Sequence, residues 1–596
     1  MSNSASPVNS AQIAIRSILA VDFGSVHTRL LLVDLVEGQY RVVSTVETLT
    51  TSGAPIGNVT IGLTRALDQL AAQTGRVFER NGNFVIPEEA EGAGFDQLVV
   101  SVSNGRPMRA ALVGLMPDLS LQSGRRALQG VYVEIVEAIH ADDLRSTEAQ
   151  VNALIDSRPD VIMIVGGTNG GAHASVLGLM QIVRAALALI PAGRRPLVIF
   201  GGNDSVALEA NALLTGQIDA VQVTANVRPI SGQETLSGSQ LELVVAYGAY
   251  QIRQQPGLSD IGAHSPLGVL PTAIGYNVIV QYLSETAGHG NTLCVDVGAH
   301  NVVVSAFVDR QPILSIHSNL GLGQSAADSL KAVGVAQVRR WLPFDADDEQ
   351  IADYAWNKVL RPGTVPQTVE ELAIEQAFTR AIVQHALRLA RQGLIRTRHG
   401  WPPFETVVGA GAVFTNGVPP ELGALLLLES VQPTGVVRLL LDPGAVIPAL
   451  GSLAYVQPLA VTQTIDNGGL LDLGTAICPD GQVLGSGAIR ATVTFADGSS
   501  RQVAVTGGDL AIVPLPVGQE ARVTIQLGRG LSLGRGRTFT VRGGTVGIIF
   551  DGRGRPLTLP NDAARRQKML TRWQKRALDS FASLPLDAAT IAERMK

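Results

Sequence analysis

Residues 18 to 34 read ILAVDFGSVHTRLLLVD, and residues 292 to 308 read TLCVDVGAHNVVVSAFV. In each, an aliphatic run ends in Asp-x-Gly, a few small or polar residues follow, and a second apolar run begins. Two short apolar runs around a tight polar break spell a β-hairpin. Asp22 then closes one strand and Arg29 opens the next, so both side chains reach the same end of the hairpin. Gly24 lets the backbone approach a ligand, and the Ser25 hydroxyl with its neighbouring N–H groups can donate to phosphate oxygens. Asp22 has the chemistry to hold Mg²⁺, through water because that ion dehydrates reluctantly. The second hairpin offers Asp296 and Gly298 in the same setting about 270 residues later. A single Asp-x-Gly is an ordinary turn. Two copies in one strand-turn-strand context point to related halves with phosphates held between them.

Composition sets the outer limits. The chain has 596 residues, enough for several domains, and is 46% hydrophobic, 16% charged and 4% aromatic. With 46 basic and 51 acidic residues the net charge is -5, which gives no overall attraction for nucleic acid. Two cysteines, Cys294 and Cys478, cannot build a disulfide framework, so a reducing cytoplasm is the expected setting. The opening MSNSASPVNSAQ is a polar tail without the basic flank and apolar core of a signal peptide, and no apolar run reaches the roughly 20 residues of a membrane span.

Along the first three quarters of the chain, strands and helices alternate, which predicts an α/β fold with parallel sheets under covering helices. The stretches PDVIMIVGGTNGG and RPLVIFGGN put glycine pairs Gly166-Gly167 and Gly201-Gly202 at strand carboxyl ends, where open sheets bind ligands; glycines that merely end strands are an equal alternative. From 291 the hairpin pattern restarts, with a long helix near 368 to 396 and a strand-glycine stretch ETVVGAGAVF. Beyond 460 the texture becomes glycine-punctuated alternation, as in AIRATVTFADGSSRQVAVTGG, predicting a separate, mostly antiparallel β domain. The division expected is a flexible tail at 1–16, a first half with an inserted βα region at 17–270, a second half at 271–458, a β domain at 459–560 and a basic amphipathic helix at 561–596.

These residues resemble a known superfamily, the actin, Hsp70 and sugar-kinase ATPases. VDFGSVHTR is similar to its first phosphate loop, VDVGAHNVV to its second and TVVGAGAVF to its adenosine loop. The ordered stretches VVSVSNGRPMRAALVGLMPDL, RPDVIMIVGGTNGG, TANVRP, VLPTA, NLGLGQSA and LLLDPGAVIPALGSLA narrow the resemblance to the MutL (glutamate mutase L) family. The resemblance implies duplicated actin-like, RNase H-like halves that bind ATP or ADP with Mg²⁺, and a chaperone-like or reactivating role beside a coenzyme-B12-dependent mutase. Carried over by position, it assigns Asp22 and Asp296 to catalysis and metal, and Gly24, Ser25, Arg29, Gly298, Asn301, Gly409 and Gly411 to the nucleotide. A partner would engage the carboxy-terminal β domain and tail, with a homo-oligomer as a further option. The alternative is an actin-fold scaffold or pseudo-ATPase.

Departures from the family pattern weaken catalysis more than binding. Arg29 stands where the family has Lys, keeping charge but presenting a larger, forked group. The second loop reads Asp-Val-Gly-Ala-His-Asn-Val-Val over 296–303 where the family has Asp-Ile-Gly-Gly-Ala-Thr-Thr-Asp. Val303 in place of an acid can neither hold metal-bound water nor take a proton, so slow hydrolysis is expected.

Three features weigh less. His27 and His300 occupy the two turn tips, where solvated turn histidines are the default and a shared phosphate or metal contact across the cleft the sharper option. The run Asp345, Asp347, Asp348 and Glu349 reads as an acidic helix start. In the tail, Leu570, Trp573, Ala577 and Phe581 share one helix side, for which docking on the protein's own surface is the simplest role.

Overall fold

The computed structural model describes residues 15–89, 92–218, 221–286, 288–391, 401–534 and 536–579. Strand Ser17–Phe23 pairs antiparallel with His27–Val36, which pairs antiparallel with Gln39–Leu49. On its other side Ser17–Phe23 runs parallel to Gln97–Val102, and that strand to Val269–Pro271. The second half repeats the order: Thr292–Val297 pairs with Asn301–Val308 and that with Gln311–Ser318, while Thr406–Ala410 and Gly435–Asp442 follow in parallel on the far side. Each half therefore reads third-second-first-fourth-fifth. The mixed α/β architecture and its duplication match the expectation.

Helix Val59–Thr74 covers the first sheet, opened by the Asn58 side chain accepting from Thr60 N–H and closed by Gly75 in the left-handed region. The halves meet through two helices, Thr272–Gln281 and Val446–Leu453. They cross at Gly275 and Gly451, where a Cβ on Gly451 would lie 2.1 Å from the Gly275 carbonyl oxygen. Only glycine permits that backbone contact.

The insertion sits between the fourth and fifth strands of the first sheet. Its five parallel strands run in the order Val133–His140, Met108–Gly114, Val161–Val165, Leu197–Phe200, Gln222–Val223, and they enclose an apolar cluster of their own.

The carboxy-terminal region departs from the expectation of a separate domain. Strand Leu471–Cys478 pairs antiparallel with Gly435–Asp442, Gly547–Asp551 pairs with Leu471–Cys478, and Leu510–Val513 pairs with Gly547–Asp551, extending the second sheet to eight strands. Leu473, Cys478, Leu510 and Ile549 share one core with Val295, Val407 and Leu439 of the second half. A four-stranded antiparallel sheet, Ser500–Thr506, Gly487–Phe495, Glu520–Leu527 and Thr538–Arg542, packs on this extension. The boundary expected at 459 also falls inside helix Pro458–Asp466, which returns to the first half: Gln463 Oε1 accepts from Tyr40 N–H at 2.7 Å. The β region completes the second half rather than standing beside it.

Helix Ala563–Asp579 docks on the protein's own surface, burying Leu570, Trp573 and Ala577 against this body, and Trp573 Nε1 donates to the Gly508 carbonyl at 2.9 Å. Phe581 lies outside the described residues.

Candidate functional site

The two hairpins are built alike. Gly24 N–H donates to the His27 carbonyl at 2.9 Å, and Gly298 N–H donates to the Asn301 carbonyl at 3.0 Å. A Cβ on Gly24 would stand 2.8 Å from that His27 oxygen, so the glycine serves close backbone approach. Ala299 keeps a negative φ, and alanine replaces the family's glycine there without left-handed strain.

Strand register sets out the charges in rows. In the first sheet Asp22 lies opposite Arg29 on one side and Ser101 on the other, and Arg29 lies opposite Glu47. In the second sheet Asp296 lies opposite Val303 and Ala410, Val303 opposite Ile316, and Ala410 opposite Asp442. The aspartates correspond, while Val303 and Ile316 occupy the places of Arg29 and Glu47. One row is ionic through three strands; the other places its carboxylates among apolar neighbours.

Both rows open on a cavity of about 350 Å³ between the halves, lined by Asp22, Gly24, Ser25, Arg29, Asp296, Gly298, Asn301 and Gly411. Eight of the nine positions expected to serve a nucleotide thus converge. Gly409 does not line this cavity: a Cβ there would meet Leu427 at 2.8 Å and Leu441 at 3.0 Å, so it faces the aliphatic core beneath. Gly411 has φ 96°, and a Cβ would lie 2.4 Å from the Val297 carbonyl oxygen, which makes glycine mandatory.

Asp22 is almost fully buried, and its Oδ1 accepts from Ser101 Oγ at 2.7 Å and Thr272 Oγ1 at 2.6 Å. Burial raises its pKa, opposed by those two hydroxyls and by Arg29. Burial pushes Asp296 up to about 7, against the Tyr276 hydroxyl and Arg29. Asp442, pushed up to about 6 by burial, accepts from Val446 N–H at 2.8 Å and Ile447 N–H at 3.0 Å, capping the crossing helix. Arg29 is held charged beyond its ordinary range by Glu47 and Asp22, although burial works against it. One guanidinium thus acts on four cleft carboxylates, Glu47, Asp22, Asp296 and Asp442.

The donor set fits a hydrated divalent cation brought in with phosphates. Asp22 and Asp296 offer hard oxygen ligands, and the Asn301 Oδ1 is buried without a hydrogen-bond partner. No group of three or more His, Cys, Asp or Glu side chains among the described residues could hold a metal by itself. Water and ligand oxygens would have to complete the shell.

Two bonds already cross the cleft: Gln324 Nε2 donates to the Ser25 carbonyl at 3.1 Å, and Asn301 Nδ2 to the Ser103 carbonyl at 3.3 Å. The two histidines take separate partners. His27 Nδ1 is 3.3 Å from Glu47, and His300 Nδ1 is 2.9 Å from Ser325 Oγ. Both are partly buried rather than freely solvated. Asp347 accepts from Gln350 N–H at 2.7 Å, so the acidic run is the helix start it resembles. At the carboxyl ends of the inserted sheet the glycine loops are laced together, Gly170 N–H donating to Asn203 Oδ1 at 3.0 Å and Asn226 Nδ2 to the Gly167 carbonyl at 2.9 Å.

Sequence reasoning missed Glu47, Ser101, Thr272, Gln324 and Asp442. Asp442 had a signal, a third apolar strand ending in Asp and followed by Pro-Gly. The hydroxyl pair on Asp22 had none, because it comes from strands closed only by long-range pairing.

The MutL protein family model matches residues 18–468. Protein MutL of Clostridium tetanomorphum is 22% identical over 482 residues, covering 74% of this chain and 96% of the relative. Among solved structures, a nucleotide-free acetone carboxylase aligns at 12% identity over 83% of this chain and 81% of that one, with a TM-score of 0.31. A glycerol dehydratase reactivase aligns at 13% identity over 74% and 100%, with a TM-score of 0.29. The family match spans both hairpins, the aspartates Asp22 and Asp296 and the crossing helices, and this chain belongs to the MutL family.

Proposed function

We propose that the cleft binds ATP or ADP with Mg²⁺, hydrolyses ATP slowly at most, and uses the bound nucleotide to set the angle between the halves. The observation that carries this reading is the convergence of Asp22 and Asp296, from two matching hairpins, on one cavity crossed by Gln324 and Asn301. Gly24, Ser25, Gly298 and the Arg29 guanidinium would take the phosphates, and Asp22 with Asp296 the hydrated cation. Bound Mg²⁺ would neutralise phosphate charge. With Asp296 on the cation, Val303 leaves the second hairpin without a further carboxylate to accept a proton from an attacking water, which favours binding over turnover.

Family membership supports a cellular role as a chaperone-like or reactivating accessory factor for a coenzyme-B12-dependent mutase, in which cleft angle changes the partner's state. A cytoplasmic location suits such a role, and among the described residues no helix is long and apolar enough to cross a membrane. Co-purification of the full chain from its native cell, with and without Mg-ATP, tests this. A B12 enzyme whose retention depends on nucleotide supports it; equal recovery of that enzyme with and without nucleotide, or its absence, rejects it. A scaffold without nucleotide is the second reading, favoured by the apolar Val303–Ile316 pairing.

A further inference from the structure

We infer that Glu47 is a positioning residue for Arg29, fixing the fork of the guanidinium so that its terminal nitrogens face the phosphate loop; the inference rests on the nucleotide reading above. Glu47 is on the third strand of the first sheet, directly opposite Arg29 in the register. Its Oε2 accepts from Arg29 Nε at 2.7 Å. Its Oε1 lies 3.3 Å from His27 Nδ1, and His27 is two residues before Arg29 on the same face of its strand. The carboxylate is therefore held between two groups.

With Nε engaged, the planar guanidinium keeps one orientation, and its NH1 end sits beside Gly24, 3.6 Å from where a Cβ on that glycine would stand. The first hairpin thus receives a charged fork already turned toward the turn that would hold phosphate. A free arginine would lose side-chain freedom on meeting an anion; one already ordered loses less, and the difference appears as affinity. Asp22, opposite Arg29 on the other side, fixes the base of the same row. The pair is too open to the cleft to be a mainstay of the fold, with side-chain exposures of 29% for Arg29 and 42% for Glu47. Glu47 variants should fold.

The experiment is a double-mutant cycle on the full chain, with Mg-ADP as the probe, read by titration calorimetry at low ionic strength and accompanied by thermal melts. Glu47→Ala should weaken binding about tenfold, the scale of one charge-assisted hydrogen bond. Glu47→Gln, whose amide oxygen still accepts from Nε, should stay within about threefold of the unmodified protein. In an Arg29→Lys background the side chain has no Nε donor, and Glu47→Ala should change affinity by less than about twofold. Equal losses in both backgrounds, or unchanged affinity for Glu47→Ala when the unmodified protein binds, would overturn the inference. An unmodified protein that binds no Mg-ADP would instead overturn the nucleotide reading beneath it.

Discussion

Val303 holds in the second half the register position that Arg29 holds in the first, each directly across a hairpin from its aspartate, Asp296 and Asp22. The halves are alike in backbone and unlike in chemistry at this row. Turnover should therefore sit far below the ~1–100 s⁻¹ of efficient phosphoryl-transfer enzymes. Phosphate release from pure protein measures it, and rapid release abolished by Asp296→Asn would show that the second hairpin is catalytically complete.

Asp296 gives the cleft a pH dependence. Its folded pKa, pushed up to about 7, exceeds the usual carboxylate value of 3.8, so the ligand-free fold takes up a proton that the unfolded chain releases. The resulting stabilisation is complete below pH 3.8 and is lost as pH rises toward 7. Asp296→Asn should raise the melting temperature of ligand-free protein by a few degrees at pH 8 and by clearly less at pH 5, the gain shrinking as pH falls toward 3.8. Metal needs the ionised carboxylate, so Mg-ADP affinity of the unmodified protein should increase from pH 6 to pH 8.

The helix crossing admits no side chain. Gly451→Ala would drive a methyl to within 2.1 Å of the Gly275 carbonyl oxygen, and the backbones must separate. A stability loss of about 2–3 kcal/mol is expected in denaturant unfolding, from overpacking where no side chain can yield. An unchanged midpoint would mean the halves tolerate a wider crossing.

A buried ionic network ties the carboxy-terminal region to the second half. Arg553 NH1 donates to Glu429 Oε1 at 2.7 Å, Arg380 Nε donates to Glu429 Oε2 at 2.7 Å, and Arg553 and Arg555 both bind Asp551. The Arg553 guanidinium also lies 4.5 Å from the centre of the Trp573 ring. Arg553→Met strands part of that negative charge and should cost about 3–5 kcal/mol. Ending the chain at 458 removes strand Leu471–Cys478 and exposes the edge of Gly435–Asp442, and that fragment should aggregate. A soluble fragment with a cooperative melt would contradict this.

The hairpins were legible because Asp22 and Arg29, or Asp296 and Asn301, are placed by a turn a few residues long, and local spacing fixes who faces whom. Glu47 was not: its register against Arg29 passes through a shift between Leu32 and Val33 that no pattern announces. The same limit misled the reading of the carboxy-terminal strands. Leu471–Cys478 and Gly547–Asp551 are buried along nearly their whole length without alternation, and a short apolar run looks the same whether a strand founds its own sheet or extends another. Gly409 and Gly411 show the point within one motif. Both were expected to meet a nucleotide, yet Gly409 lies inside strand Thr406–Ala410 against Leu427 and Leu441, while Gly411, just past the strand end at φ 96°, lines the cavity.

Titration calorimetry of the full chain with Mg-ADP, beside an Asp22→Ala variant, addresses the central claim most directly. The account predicts one site per chain in the unmodified protein, with binding abolished in the variant while both proteins melt cooperatively at similar temperatures. Saturating Mg-ADP that gives neither heat of binding nor a rise in melting temperature in the unmodified protein would contradict it, and the cleft would then be that of a scaffold without nucleotide.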